Sequence, residues 1–144
     1  MDPRVREHAR VIVDHSLDVG AGDEVVVSMP NAAEDLEVAL YEALGDRGAT
    51  PVSATSPLEG RTNPRASRAF MRAREEFETP GHHLALFEAA DAFVIARAYD
   101  NVAELADVDP ETRTAASKAN RPAVEERLSK PWCLTQFPSA GNAQ

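Results

Sequence analysis

The chain carries a single cysteine, Cys133, among 144 residues. An internal disulfide is therefore excluded, and a reducing, cytoplasmic setting is expected. Long apolar runs are also missing. The longest, Ala92-Phe-Val-Ile-Ala96, is about five residues, against the roughly 20 that a membrane helix needs. Met1 is followed by Asp2, Arg4, Arg6 and Glu7, with no apolar stretch of the kind a secretory leader carries, so no membrane partner is expected. Lysine is scarce as well: of 15 basic residues only Lys118 and Lys130 are lysines. Against them stand 24 acidic residues, for a net charge of -9. A phosphate-backbone binder normally has the opposite sign, so no nucleic-acid partner is expected. A hydrophobic share of 43% excludes a mainly disordered chain, and the length suits one domain with its own core.

Periodicity then places the elements. Val5, Ala9, Ile12, Val13, Ser16 and Leu17 fall at helical spacing within Met1–Val19. The Gly20-Ala-Gly-Asp23 turn breaks that helix, and Glu24–Met29 reads as a strand buried on both faces. A helix over Ala32–Leu44 carries Leu36, Leu40 and Leu44 on one stripe. Thr50–Thr55 reads as a weaker strand, with Pro51 suited to a strand start or an edge. Asn63-Pro64 predicts the cap and first position of a helix to about Phe77, and Thr79-Pro80 the start of another. Ala92–Ala96 reads as a third strand. Asn101 is placed to cap a short helix through Val108, and Asp109-Pro110 starts a further one, which Pro122 interrupts or replaces with a separate helix to about Lys130. Trp132–Phe137 reads as the fourth strand. Strands alternating with helices predict an α/β fold: a mostly parallel sheet of about four strands with helices on both faces, Rossmann-like and three-layered. Val26, Leu40, Phe93, Ile95 and Leu134 are expected in the core.

Few residues offer chemistry. Gly20-x-Gly22 precedes its strand and has Val25 at the third glycine position, so a turn accounts for it better than a dinucleotide site. His8 and His15 lie about 10.5 Å apart along a helix axis, too far to share an ion, and packing or a hydrogen bond suits them. His82 and His83 are adjacent and point apart. Cys133, inside a strand beside Trp132 and Leu134, reads as an inert buried thiol. No catalytic or metal-ligating residue is assigned. The least ordinary feature is an arginine row, Arg61, Arg65, Arg68 and Arg72, spaced 4, 3 and 4. The last three share a helix face opposite Ala66, Phe70, Ala73 and Phe77. This row is either a solvated face paired with Glu75 and Glu76 or a surface for an anion or acidic partner. Ligands of open α/β sheets collect at the carboxyl ends of the strands, which adds Tyr99 and Asn101 as candidate cleft residues.

Taken together, several segments resemble a known family. Asp14-His-Ser-Leu-Asp-Val-Gly-Ala-Gly-Asp-Glu-Val-Val-Val27 is similar to the opening of the aminopeptidase T family of metal-dependent leucyl aminopeptidases. Asn101–Pro110, Lys118-Ala-Asn-Arg-Pro122 and Trp132–Ser139, with Ala143-Gln144, resemble its later segments. The resemblance implies an N-terminal α/β domain over residues 1–144, followed in the family by a C-terminal domain that binds two divalent metal ions, zinc, cobalt or similar. Those ligands lie beyond residue 144, so no metal ligand is carried over and this chain alone is expected to be inactive. A peptide substrate is implied for the full-length enzyme only. The alternative expectation is a free-standing α/β binding or interaction module. Trp132, Leu134 and Phe137 in the last strand suggest an exposed sheet edge and self-association.

Overall fold

Asp2 opens the first helix by accepting a hydrogen bond from the Arg4 amide at 2.9 Å, with Pro3 in the first turn. The computed structural model describes residues 1–60, 62–97 and 104–138. In it the first helix, α1, runs Pro3–Val11 and passes into a single π turn over Ile12–Ser16. It is shorter than the Met1–Val19 expected from periodicity. The wide turn and then Asp18, at φ 48°, end it before the glycines are reached. Asp tolerates this left-handed conformation better than most residues.

Strand β1 (Glu24–Ser28) follows, then α2 (Glu34–Asp46), β2 (Thr50–Ser53), α3 (Pro64–Ala73), α4 (Gly81–Ala89), β3 (Ala92–Arg97), α5 (Pro110–Leu128) and β4 (Trp132–Gln136). The four strands form one sheet in the order β2-β1-β3-β4, and every pairing is parallel. Val26 stands opposite both Val52 and Phe93, and Ile95 opposite Leu134. The expected sheet and its two helical faces are therefore present. The two central strands are the apolar ones, and Val25, Val26 and Val27 are all buried. A strand covered on both faces has no polar side to show.

One face carries α1 and α2. There Ala9, Val13, Leu36, Leu40 and Leu44 pack on Val25, Val27, Val94 and Ala96. The other face carries α4 and α5, with Phe87 and Ala123 on Val26 and Phe93. Farther out, Met71 of α3 packs on Ala116 and Ala119 of α5, together with Leu58 from the loop after β2. Lys130 ties this side together, its Nζ donating to the Phe87 and Glu88 carbonyls at 2.8 and 2.6 Å, the open C-terminal end of α4.

Several expectations are corrected. Leu134 is 36% exposed, because β4 is an edge strand and α5 covers the inner strands instead; Val26, Leu40, Phe93 and Ile95 are buried as expected. Helix α3 stops at Ala73, short of Phe77, and its buried side is Ser67 and Met71. Ala66 and Ala73 are exposed, since α3 packs through Met71 against α5. Pro122 does not divide the last helix. It sits inside a continuous α5 that is anchored by Ala116, Ala119 and Ala123 and capped by Asp109. Residues 104–107 form a turn rather than a helix.

Candidate functional site

Where β2 ends, the chain does not turn straight into α3. Ala54 is pinned to the sheet by two bonds: its amide donates to the Val27 carbonyl at 3.0 Å and its carbonyl accepts from Ser28 Oγ at 2.7 Å. Beyond it, Ser56–Glu59 close a turn, the Glu59 amide donating to the Ser56 carbonyl at 3.2 Å. Gly60 then takes φ 73°, and a Cβ there would come within 2.8 Å of Leu105 Cδ1. Only glycine suits both the torsion and the space.

This loop forms one wall of a cleft of about 340 Å³. The opposite walls come from the end of α3, the α3–α4 connection and the first turns of α4. The lining is mostly apolar: Leu58, Phe70, Phe77 and Leu86. The Phe70 and Phe77 rings lie 5.8 Å apart at 52°. Arg74 lies over both, its guanidinium carbon 5.4 Å from the Phe70 centroid and 6.0 Å from that of Phe77, within the range of a cation–π contact.

His83 lines the same cleft and is 7% exposed. Its ring packs 4.3 Å from Phe87, which in turn lies 4.8 Å from Phe93, so an aromatic ladder joins the cleft to the sheet. His83 Nδ1 is buried without a hydrogen-bond partner, and Nε2 lies 4.0 Å from Glu59 Oε1. That separation exceeds hydrogen-bond reach. Burial dominates and pushes the imidazole pKa below its ordinary value, with the neighbouring His82 adding to the effect. A second hollow of about 550 Å³ lies between α1 and the end of β4. Two of its polar groups are already committed: Asp2 to Arg4, and His8 Nε2 to Thr135 Oγ1 at 2.9 Å. Of the two roles expected for His8, packing or a hydrogen bond, the second is present.

The arginine row takes a different place. Arg65, Arg68 and Arg72 lie on α3, and none lines the cleft, whose arginine is Arg74. Arg68 Nε donates to Asp107 Oδ1 at 2.8 Å, its second nitrogen reaches Oδ2, and Arg72 lies 3.4 Å from the same carboxylate. Asp107, held at about 2 chiefly by Arg68, replaces Glu75 and Glu76 as the partner. Arg72 cannot pair with Glu76 at helical spacing because α3 ends between them. Arg61, Tyr99 and Asn101 lie outside the described residues. Cys133 is partly buried, and burial raises its thiol pKa, which disfavours the nucleophilic thiolate. Sequence reasoning passed over Arg74 and Glu78, which both line the cleft, and gave His83 no role. The one available signal was His83 and Phe87 at i and i+4 on a helix.

Among the described residues no three His, Cys, Asp or Glu side chains group to hold a metal ion, and none of the helices described is long and apolar enough to cross a membrane. Fold and site thus define an open, all-parallel α/β domain with an apolar cleft at the carboxyl end of an edge strand. The chain belongs to the thermophilic metalloprotease family M29, whose model matches residues 1–144. In fold it is similar to wild-type AmpT from Thermus thermophilus, with a TM-score of 0.70 and 21% identity. That likeness covers 94% of this chain and 36% of AmpT, so the chain spans about a third of that protein's length. No curated protein gives a match.

Proposed function

We propose that residues 1–144 are the N-terminal α/β domain of a cytoplasmic, metal-dependent aminopeptidase, which hydrolyses N-terminal residues from peptides. The observation that carries this reading is the family match along the whole chain. The likeness to AmpT, confined to 36% of that chain, supports a larger protein around this domain. Among the described residues no three His, Cys, Asp or Glu side chains group to hold a metal ion; in this reading the two divalent ions of the reaction, zinc, cobalt or similar, are held by residues beyond 144. Metal-bound water is what such ions supply to amide hydrolysis. Burial raises the Cys133 thiol pKa, which disfavours the thiolate nucleophile, and this supports the reading that the domain alone does not hydrolyse peptides. Its own contribution is a stable wall for the larger molecule.

The test compares two proteins on a leucine anilide with cobalt or zinc: the 144-residue chain, and the product of the reading frame extended past codon 144. Turnover by the longer protein alone is the expected result. Elemental analysis of the dialysed short chain should find no stoichiometric metal. Activity that follows the short chain through purification would overturn the division of labour. A stop codon with no ligand-encoding continuation would favour a free-standing binding module instead.

A further inference from the structure

We infer that the cleft beside β2 is a binding site for a free apolar α-amino acid, held by Arg74 at its carboxylate and Glu78 at its ammonium. The inference stands on the geometry of the cleft and not on the peptidase reading. Its volume, about 340 Å³, lies at the low end of the roughly 300–1,000 Å³ of small-molecule sites. Such a space suits one residue rather than a folded peptide. Apolar side chains from four separate segments line it: Leu58 from the loop, Phe70 from α3, Phe77 from the connection and Leu86 from α4. An apolar side chain placed there would remove this surface from water.

The polar groups are few and of opposite sign. Among the described residues Arg74 pairs with no carboxylate and Glu78 with no cation. They are four positions apart, yet they do not pair with each other, because Arg74 is extended and ends α3. The two phenyl rings hold the Arg74 guanidinium at the cleft. In a chain of net charge -9 most of the surface repels a carboxylate; Arg65 and Arg113 are also outside the ion pairs, and what marks Arg74 is that among the described arginines it lines this apolar cleft. Glu78, exposed on the same cleft lining, complements an ammonium. An apolar cleft with one donor fork and one carboxylate matches a zwitterion with an apolar side chain. His83, with its unpartnered and buried Nδ1, adds a polar atom to a lining residue.

The experiment titrates L-phenylalanine, 3-phenylpropionate and phenethylamine into the 144-residue chain, following backbone amide shifts. L-phenylalanine should saturate with a dissociation constant on the order of 1 mM or below. Its shifts should fall on Ala54–Leu58 and Gly81–Leu86. Each single-charge analogue should bind about tenfold more weakly, the loss of one charge-assisted hydrogen-bonded contact. Arg74→Gln should cost L-phenylalanine and 3-phenylpropionate about tenfold and leave phenethylamine unchanged, whereas Glu78→Gln should cost L-phenylalanine and phenethylamine about tenfold and leave 3-phenylpropionate unchanged. Arg65→Gln, on the exposed side of α3, should leave all three ligands unchanged. A dispersed amide spectrum verifies that each variant is folded, and Arg74→Lys serves as a second variant that keeps the charge but loses the fork. Absence of saturation in the parent chain, shifts clustered away from the cleft, or unchanged binding in folded Arg74→Gln and Glu78→Gln would each overturn the proposal.

Discussion

His83 shows how one residue couples local sequence to stability. Its imidazole is buried against Phe87, and burial lowers its pKa from the ordinary 6.5. The neutral ring is the form the fold accommodates. The unfolded chain therefore binds a proton at higher pH than the folded one. Stability from this group is complete above about 6.5 and declines as pH falls from there toward the lower folded value. His83→Gln, which cannot take up a proton, should flatten urea-unfolding stability between about pH 7 and 5. An unchanged pH slope in that variant would show that another group controls this range. Asp107 acts in a different window. Held at about 2 mainly by Arg68, its contribution is present above its ordinary 3.8 and disappears only in stronger acid.

Among the elements, α5 and α3 diverge most from their sequence patterns. Pro122 has no amide hydrogen, so α5 forgoes one bond to the Lys118 carbonyl. Lys118 is exposed, which leaves that carbonyl open to water. The helix continues because tertiary packing of Ala116, Ala119 and Ala123 outweighs one missing bond. Pro122→Ala should restore the donor and raise stability by about 1–3 kcal/mol, less the entropy that the unfolded chain regains. Thermal and urea unfolding measure it, and a lower midpoint would show that the proline ring is needed where it packs. In α3 the buried side is set by the partner. Met71 and Ser67 face α5, while Arg68 and Arg72 are drawn to Asp107 across 39 and 35 residues of chain.

For the whole molecule, the exposed edges of the sheet matter most. The edge strand β2 is short and carries Pro51, a residue that discourages further pairing. On the other side β4 has no proline, and Trp132 and Leu134 are 43% and 36% exposed. Such an edge is a template for association, opposed by the repulsion of nine net negative charges. Salt screens that repulsion. The isolated chain should therefore self-associate with rising concentration, and more strongly in salt. Leu134→Lys should reduce this, since it puts a charge on the exposed side of the strand. Phe137 is a less suitable target, because it packs partly against the α1–α2 core. Sedimentation at several salt concentrations is the measurement, and a monomer under all of them would contradict the edge account.

Period and composition alone determined the four strands, their order along the chain, the burial on both faces read for Glu24–Met29, and the caps at Asn63 and Asp109. Each of these depends on residues within a few positions of one another, where torsional preference and side-chain period operate. The family resemblance was legible for the same reason, in short ordered segments. Only the tertiary structure decided that β4 lies at an edge and exposes Leu134, that α3 turns Met71 inward, that α5 passes through Pro122, and that Arg74 and His83 share a cleft while Arg68 does not. Those outcomes depend on contacts between distant parts of the chain, such as Thr79 with Ala119 and Lys130 with Phe87. No local pattern encodes which long-range neighbour a side chain meets, and packing against that neighbour overrides propensity once the core closes.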